Sequence, residues 1–279
     1  MTTLKRAGLL CLPLLLAACT SAPPPRPPFA LEQANTADRQ ARRAFGDGDL
    51  VVARNLFEQA LRLQQSLDNL PGVAAAAVNL AVVYHGMKND AMALRLLDSM
   101  LADKVTPYPA ELRTTAAFRK AVIMVDGGNN EADAAVEAAA QMCGKPCEFT
   151  AGLNNLRARI ALGKKEYAAA LNYSREAADA AGDRKEELAN ARRHSGAAEA
   201  ALHQHDEALG HYLAALELDK QLGMPRRIAE DLDGVARALA ELGRKEEAAS
   251  YARRAAAAHD AIQFTPGNVP VSPPPSPQG

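Results

Sequence analysis

Apolar residues between Asp231 and Ala255 recur at helical spacing in two runs that meet at a glycine turn. Leu232, Val235, Ala236 and Leu239 share one face before the turn, and Ala248, Ala249, Ala252 and Ala255 share one face after it. Gly243-Arg244-Lys245 separates the runs. Stripes this narrow leave a lone helical hairpin without a core, so the pattern predicts neighbours stacked against it.

The rest of the chain repeats the unit. Anchored on the small residue that opens each second helix, the copies fall at Ala53, Ala93, Ala135, Ala170, Ala208 and Ala248, at intervals of 40, 42, 35, 38 and 40 residues. Five anchors are followed at +4 and +7 by apolar or small residues: Phe57 and Ala60, Leu97 and Met100, Ala139 and Met142, Tyr212 and Ala215, Ala252 and Ala255. The fourth copy has Ser174 and Ala177 instead. Glycine, Asn and Asp gather just before most anchors, as in Gly46-Asp47-Gly48-Asp49 and Gly127-Gly128-Asn129-Asn130, where one helix stops and the next is capped. The fifth copy turns on His203-Gln204-His205-Asp206, without glycine. Pro71, Pro107, Pro109, Pro146 and Pro225 all fall between copies, where they break no helix.

This grammar resembles the tetratricopeptide repeat family. Leu80-Ala81 with Tyr84, Ala93 and Leu97 follow its pattern, as do Gly196, Ala208, Tyr212 and Ala215, and Val235-Ala236, Leu239, Ala248 and Ala255. The copy from about Thr114 to Cys143 follows it least. The resemblance covers residues 29–264 and implies an all-α, right-handed α-solenoid of about six helical hairpins. The mean interval of 39 residues exceeds the family's 34 and looks like the longer repeats of kinesin light chains. HEAT repeats, at about 40–47 residues, are the alternative.

Composition changes the picture little. Aromatics are 4% and Trp is absent, so the apolar content is mostly Ala and Leu, both strong helix formers. A net charge of −1 points to neither nucleic acid nor a polybasic membrane surface.

The two ends are different in kind. Lys5 and Arg6 precede an apolar run from Ala7 to Ala18, too short for the ~20 residues of a spanning helix but suited to a signal peptide. Leu16-Ala17-Ala18-Cys19 then resembles the lipobox of bacterial lipoproteins, which implies that residues 1–18 are cleaved and Cys19 is acylated. Thr20 after that cysteine implies an outer-membrane lipoprotein facing the periplasm. Residues 19–28 read as a Pro-rich stalk and 265–279 as a Pro-rich disordered tail. Between them, either Ile262 and Phe264 fold back as a lid on the last repeat, or that end is a contact surface.

Chemistry is sparse. Cys143 and Cys147, with Pro146 between them, read as a structural disulfide in an oxidising compartment, or as two packed free thiols. His194, His203, His205 and His211 gather near Asp206, but their spacing suits a solvated turn better than a metal site. No phosphate loop, nucleophile elbow or zinc-protease motif occurs. The expectation is a non-catalytic scaffold without cofactor or metal, taking a protein or extended peptide partner in the cell envelope, in an assembly, secretion or pilus system. The alternative is a self-associating structural subunit joined through an uncapped C-terminal repeat. By the family's register, the concave face is expected to present Asn79, Val82, Asn155, Arg159, Asn190, Arg193, Asp233 and Arg237.

Overall fold

A computed structural model describes residues 28–263; Cys19, the leader, the stalk up to residue 27, Phe264 and the tail lie outside the described residues. Among those described there are twelve α-helices and no strand. They pair as α1 (Phe29–Gly46) with α2 (Leu50–Ser66), α3 (Leu70–Gly86) with α4 (Asp90–Ala102), and α5 (Ala110–Asp126) with α6 (Ala132–Cys143). The second half pairs α7 (Thr150–Gly163) with α8 (Tyr167–Ala181), α9 (Lys185–Ala201) with α10 (His205–Leu222), and α11 (Pro225–Glu241) with α12 (Lys245–Gln263). None of these helices is long and apolar enough to cross a membrane.

One turn is used six times. In each hairpin a residue takes the left-handed conformation: Gly48, Lys88, Gly128, Lys165, His203 and Gly243. The next amide then donates back five residues, as Asp49 does to the Ala44 carbonyl and Gln204 to that of Glu199, both at 2.9 Å. That bond satisfies a carbonyl the helix end would otherwise leave open. In the fifth hairpin His203 takes that position at φ 62°, as Lys88 and Lys165 do in the second and fourth, and Ala201 stands where those two keep Gly86 and Gly163.

The buried residues correct the register of the third copy. Ala132, Val136 and Ala139 are buried on α6, whereas Ala135 is half-exposed and Met142 is 41% exposed. The anchor is therefore Ala132, three residues before Ala135, and the intervals become 40, 39, 38, 38 and 40. This near-constant repeat is kept by trading helix for connector. The short α4 and α6, of 13 and 12 residues, are followed by the segments 103–109 and 144–149, while the 18-residue α10 is followed by two residues. Arg113 holds the first of these connectors by donating to the carbonyls of Met100 (3.0 Å), Asp103 and Thr106. The prolines sit where expected or in a first helical turn: Pro225 opens α11 and Pro71 is the second residue of α3, positions whose missing N–H loses no helical bond.

Packing runs along the stack as a chain of small clusters rather than one core. Phe57 with Leu80, Leu97 with Val78, Val136 with Leu153, and Leu239 with Tyr212 each anchor one junction. Odd-numbered helices also touch one another, α3 with α5, α5 with α7, α7 with α9 and α9 with α11, while among the described residues the even-numbered helices make their main contacts with odd ones. A stack pinched along one row and open along the other is curved, with the odd helices on its concave side. Among the described residues nothing covers one side of α12, so Ala249 and Ala252 are exposed although Ala248 and Ala255 are buried. The helix runs on to Gln263 with Ile262 half-buried, so no fold-back begins before the last described residue.

Candidate functional site

The main concavity is a groove of about 610 Å³ on the odd-helix side, lined by α5, α7, α9, the start of α11 and the connector before α7. Its apolar wall is the stacked pair Phe118 and Phe149, with ring centroids 4.6 Å apart. Gly152 makes that stack possible: a Cβ there would stand 2.7 Å from the tip of the Phe118 ring. Phe149 is delivered by the connector that Cys143 and Cys147 close; the two cysteines are joined, with Cα atoms 5.4 Å apart. Arg184 holds the same connector to the next hairpin by donating to the Glu148 carbonyl, and donates also to those of Ala180 and Ala181.

The polar lining is largely paired within the protein. Arg159 bonds Asp126, whose other oxygen meets His85 Nε2 at 2.9 Å; His85 Nδ1 in turn meets Asp90 at 2.7 Å. Burial acts to raise the Asp126 pKa, but Arg159 and His85 outweigh it and hold the carboxyl below its ordinary range. Asn155 donates to the Glu187 carboxylate at 2.7 Å and to its carbonyl at 3.0 Å. Among the described residues, two atoms sealed beneath the groove lack any partner: Asn155 Oδ1 and His194 Nδ1. Burial first, then the charges of Arg193, Arg159 and Arg227, push the His194 pKa down to about 3, so its ring is neutral.

Of the eight expected groove residues, three line this concavity: Asn155, Arg159 and Asn190. Arg193 does not present itself to a ligand. It is 8% exposed and turned inward, donating through Nε to Asp231 at 2.7 Å and through its other nitrogens to Asp219 and Asn190. It bridges two buried acidic side chains, which is a structural task. Asn79 is tied to Asp38 at 3.3 Å, and Asp233 to His259 at 2.8 Å. Val82 is half-buried on α3, and Arg237 is exposed beside a separate 250 Å³ hollow next to His203 and His205. Sequence reasoning missed Phe118, Phe149 and Gly152, and placed His194 in a solvated histidine cluster rather than in the groove. A glycine inside a helix and an aromatic two residues after a cysteine were the available signals.

The histidines disperse. His194 is in the groove, His203 and His205 meet edge to face at the turn before α10, and His211 Nε2 stands 3.4 Å from Glu199. Among the described residues no group of three or more His, Cys, Asp or Glu could hold a metal ion.

No protein-family model matches the chain, and no curated protein matches it. Solved structures do. A Rap protein complexed with competence and sporulation factor aligns over 84% of this chain and 67% of its own, with a TM-score of 0.60 and 17% identity. The chain is thus similar in fold to a TPR-like helical-repeat protein. Aspartyl phosphate phosphatase F from Bacillus subtilis follows at a TM-score of 0.47 and 15% identity, over 84% of this chain and 65% of its own. The nearly identical TPR-like repeats of a Podosopora anserina kinesin light chain reach a TM-score of 0.37 and 16% identity, over 84% of this chain and 98% of their own. The chain spans about two thirds of the length of the first two.

Proposed function

We propose that this protein is a non-catalytic scaffold that takes an extended segment of a protein partner into the groove of α5, α7, α9 and α11. The observation that carries the reading is the groove itself: open, assembled from four successive hairpins, and walled on one side by an aromatic stack. The Rap structure, of the same fold, is a complex with competence and sporulation factor. Leu16-Ala17-Ala18-Cys19 supports a lipid anchor at Cys19 and work in the cell envelope, at the periplasmic face of the outer membrane, in an assembly, secretion or pilus system.

Photocrosslinking in intact cells tests the binding face. A photoreactive residue at Asn190 should yield one discrete adduct that the same residue at Gln141, exposed on α6, does not. Equal adducts from both positions, or none from either, would sink the reading. Cys19→Ser should release the protein from the membrane fraction; membrane retention would remove the anchor.

The exposed Ala249 and Ala252 on α12 favour a second reading, end-to-end association of two copies through that face. Sedimentation over a hundredfold concentration range decides it, a constant monomer mass excluding it.

A further inference from the structure

Resting on the reading of Cys19 as a lipid anchor, we infer that the edge of the stack where hairpin joins hairpin lies on the phospholipid surface, with Val105 inserted into it. Odd-numbered helices start at this edge and even-numbered helices end there, so Phe29, Leu67, Val105 and Met142 all stand along it. All four are exposed, Phe29 at 75% and Val105 at 92%. They belong to the first three hairpins, the ones next to Cys19 in the chain. Among the described residues, the later connectors 182–184 and 223–224 expose no large apolar side chain.

Val105 is not exposed through looseness. Asp103 Oδ1 accepts from the Val105 amide at 2.9 Å and the Thr106 amide at 3.0 Å, and Arg113 ties down the carbonyls of Met100, Asp103 and Thr106. The bridge between Cys143 and Cys147 closes the next connector, beside Met142. Two pinned segments thus present apolar side chains outward, and Lys104 and Lys145 are exposed among them. A valine held in water gains nothing from the fold; a bilayer would bury it, while neighbouring ammonium groups stay at the phosphates.

Exposure alone does not choose this edge, because Phe45, Val51 and Val52 are exposed at the opposite one, around the first hairpin turn. The anchor chooses it. Phe29 opens α1 at the connector edge, ten residues after Cys19, and ten residues span at most about 36 Å. The 18 residues of α1 then lead about 27 Å away to the turn edge. Laying the turn edge on the membrane would use most of the tether merely to run back along α1. Laying the connector edge there uses little of it, and so short a tether keeps that edge at high effective concentration against the lipid.

The chain contains no Trp, so a single Trp is a clean reporter. The test uses the full mature chain with Cys19 coupled to a maleimide phospholipid, in vesicles of phosphatidylethanolamine and phosphatidylglycerol with brominated acyl chains. With Cys143 and Cys147 joined, Cys19 is the one free thiol of that chain. Relative to unbrominated vesicles, Val105→Trp should lose about half or more of its emission, and Val51→Trp, at the turn edge, less than about a tenth. The same comparison of edges discounts the attraction of Trp itself for the interface. Leu67→Trp is the second reporter and should also be quenched. Equal quenching at both edges, or none from Val105→Trp and Leu67→Trp, would overturn the inference; if a protein partner covers this edge instead, the second result follows. Because the coupling supplies the lipid, these outcomes do not depend on acylation in the cell. The anchor reading fails separately, as an unacylated Cys19 in the mass of the protein recovered from cells, and that result would overturn both.

Discussion

The ring of Tyr212 lies against the bare Cα of Gly234: a Cβ built on Gly234 would stand 2.5 Å from the Tyr212 Cδ1. A Cβ built on Gly196 would stand 3.2 Å from the same ring, so a single aromatic from α10 is held between α9 and α11. Both glycines stand mid-helix, where glycine is about 1 kcal/mol worse than alanine. Their presence is explained by the ring and not by backbone conformation. Gly234→Ala should therefore destabilise the protein by about 1–3 kcal/mol through overpacking, despite its better propensity. Gly210, also helical but with nothing within 4 Å, is the control, and Gly210→Ala should stabilise by up to about 1 kcal/mol. Urea midpoints of the two variants check the pair, and a stabilised Gly234→Ala would refute the packing account.

Beneath the groove, Asp231 and His194 titrate in opposite senses. Burial raises the Asp231 pKa to about 7 even though Arg193 opposes the shift; Asp219, on the same guanidinium, adds to it. Between the ordinary value of 3.8 and about 7, the folded protein holds a proton the unfolded chain has released, so raising the pH lowers stability. His194, pushed from 6.5 to about 3, does the reverse: the unfolded chain binds a proton the folded one refuses, so raising the pH increases stability. From about pH 4 to 6.5 the two nearly cancel. Glu199 and His211, raised and lowered by burial, oppose each other in the same way. Asp231→Asn should then gain stability with rising pH in that window, and His194→Gln should lose it, with slopes approaching the ~1.4 kcal/mol per pH unit of one proton. Denaturant midpoints at pH 4.5, 5.5 and 6.5 measure both, and slopes of one sign in both variants would contradict the assignment.

Ser174 and Ser195 share a buried hydrogen bond of 2.9 Å between α8 and α9, at the position where the repeat grammar expects an aromatic. Ser174 also bonds the Leu171 carbonyl. Removing the Ser174 hydroxyl leaves that of Ser195 buried without its partner, at a cost of about 1–3 kcal/mol; removing that of Ser195 costs less, because Ser174 keeps the Leu171 carbonyl, and removing both leaves no unpaired hydroxyl. Ser174→Ala and Ser195→Ala should each destabilise, and the double variant should be more stable than the sum of the singles predicts. Additive losses would mean that the two hydroxyls are not coupled.

The helical pairing, the turns and the repeat length were legible in the sequence because each recurs six times. The third copy was misplaced because its second helix reads Ala-Asp-Ala-Ala-Val-Glu-Ala-Ala-Ala. Alanine is small enough to sit on either side of a helix at little cost, so several registers fit equally and only the burial of Val136 decides. The groove was half legible. Arg159 and Asn190 follow from register, but a concave position does not say whether a side chain faces solvent or a neighbour. Arg193 belongs to Asp231, 38 residues away, and no local pattern links them. Phe149 enters the groove from a connector, which helical periodicity does not describe at all.

The Cys143–Cys147 bridge closes the connector that carries Phe149, and that places stability and the groove wall under one constraint. A loop this short restricts the unfolded chain by about 2 kcal/mol in the chain-entropy account. Its folded-state effect is local: the connector is otherwise fixed by Arg184 on the Glu148 carbonyl and by Thr150 Oγ donating to the Cys147 carbonyl at 2.7 Å. A paired Cys143→Ser and Cys147→Ser variant should melt about 4–8 °C below the native protein, given the usual shift per kcal/mol for a domain of this size. Reductant should lower the native melting temperature by a similar amount and leave the variant unchanged. Because Arg184 and the Phe118–Phe149 stack persist, helical circular dichroism at 25 °C should not change. A native melting temperature indifferent to reductant would show that the bridge contributes nothing to stability, and a loss of helix at 25 °C would show that the connector cannot stand without it.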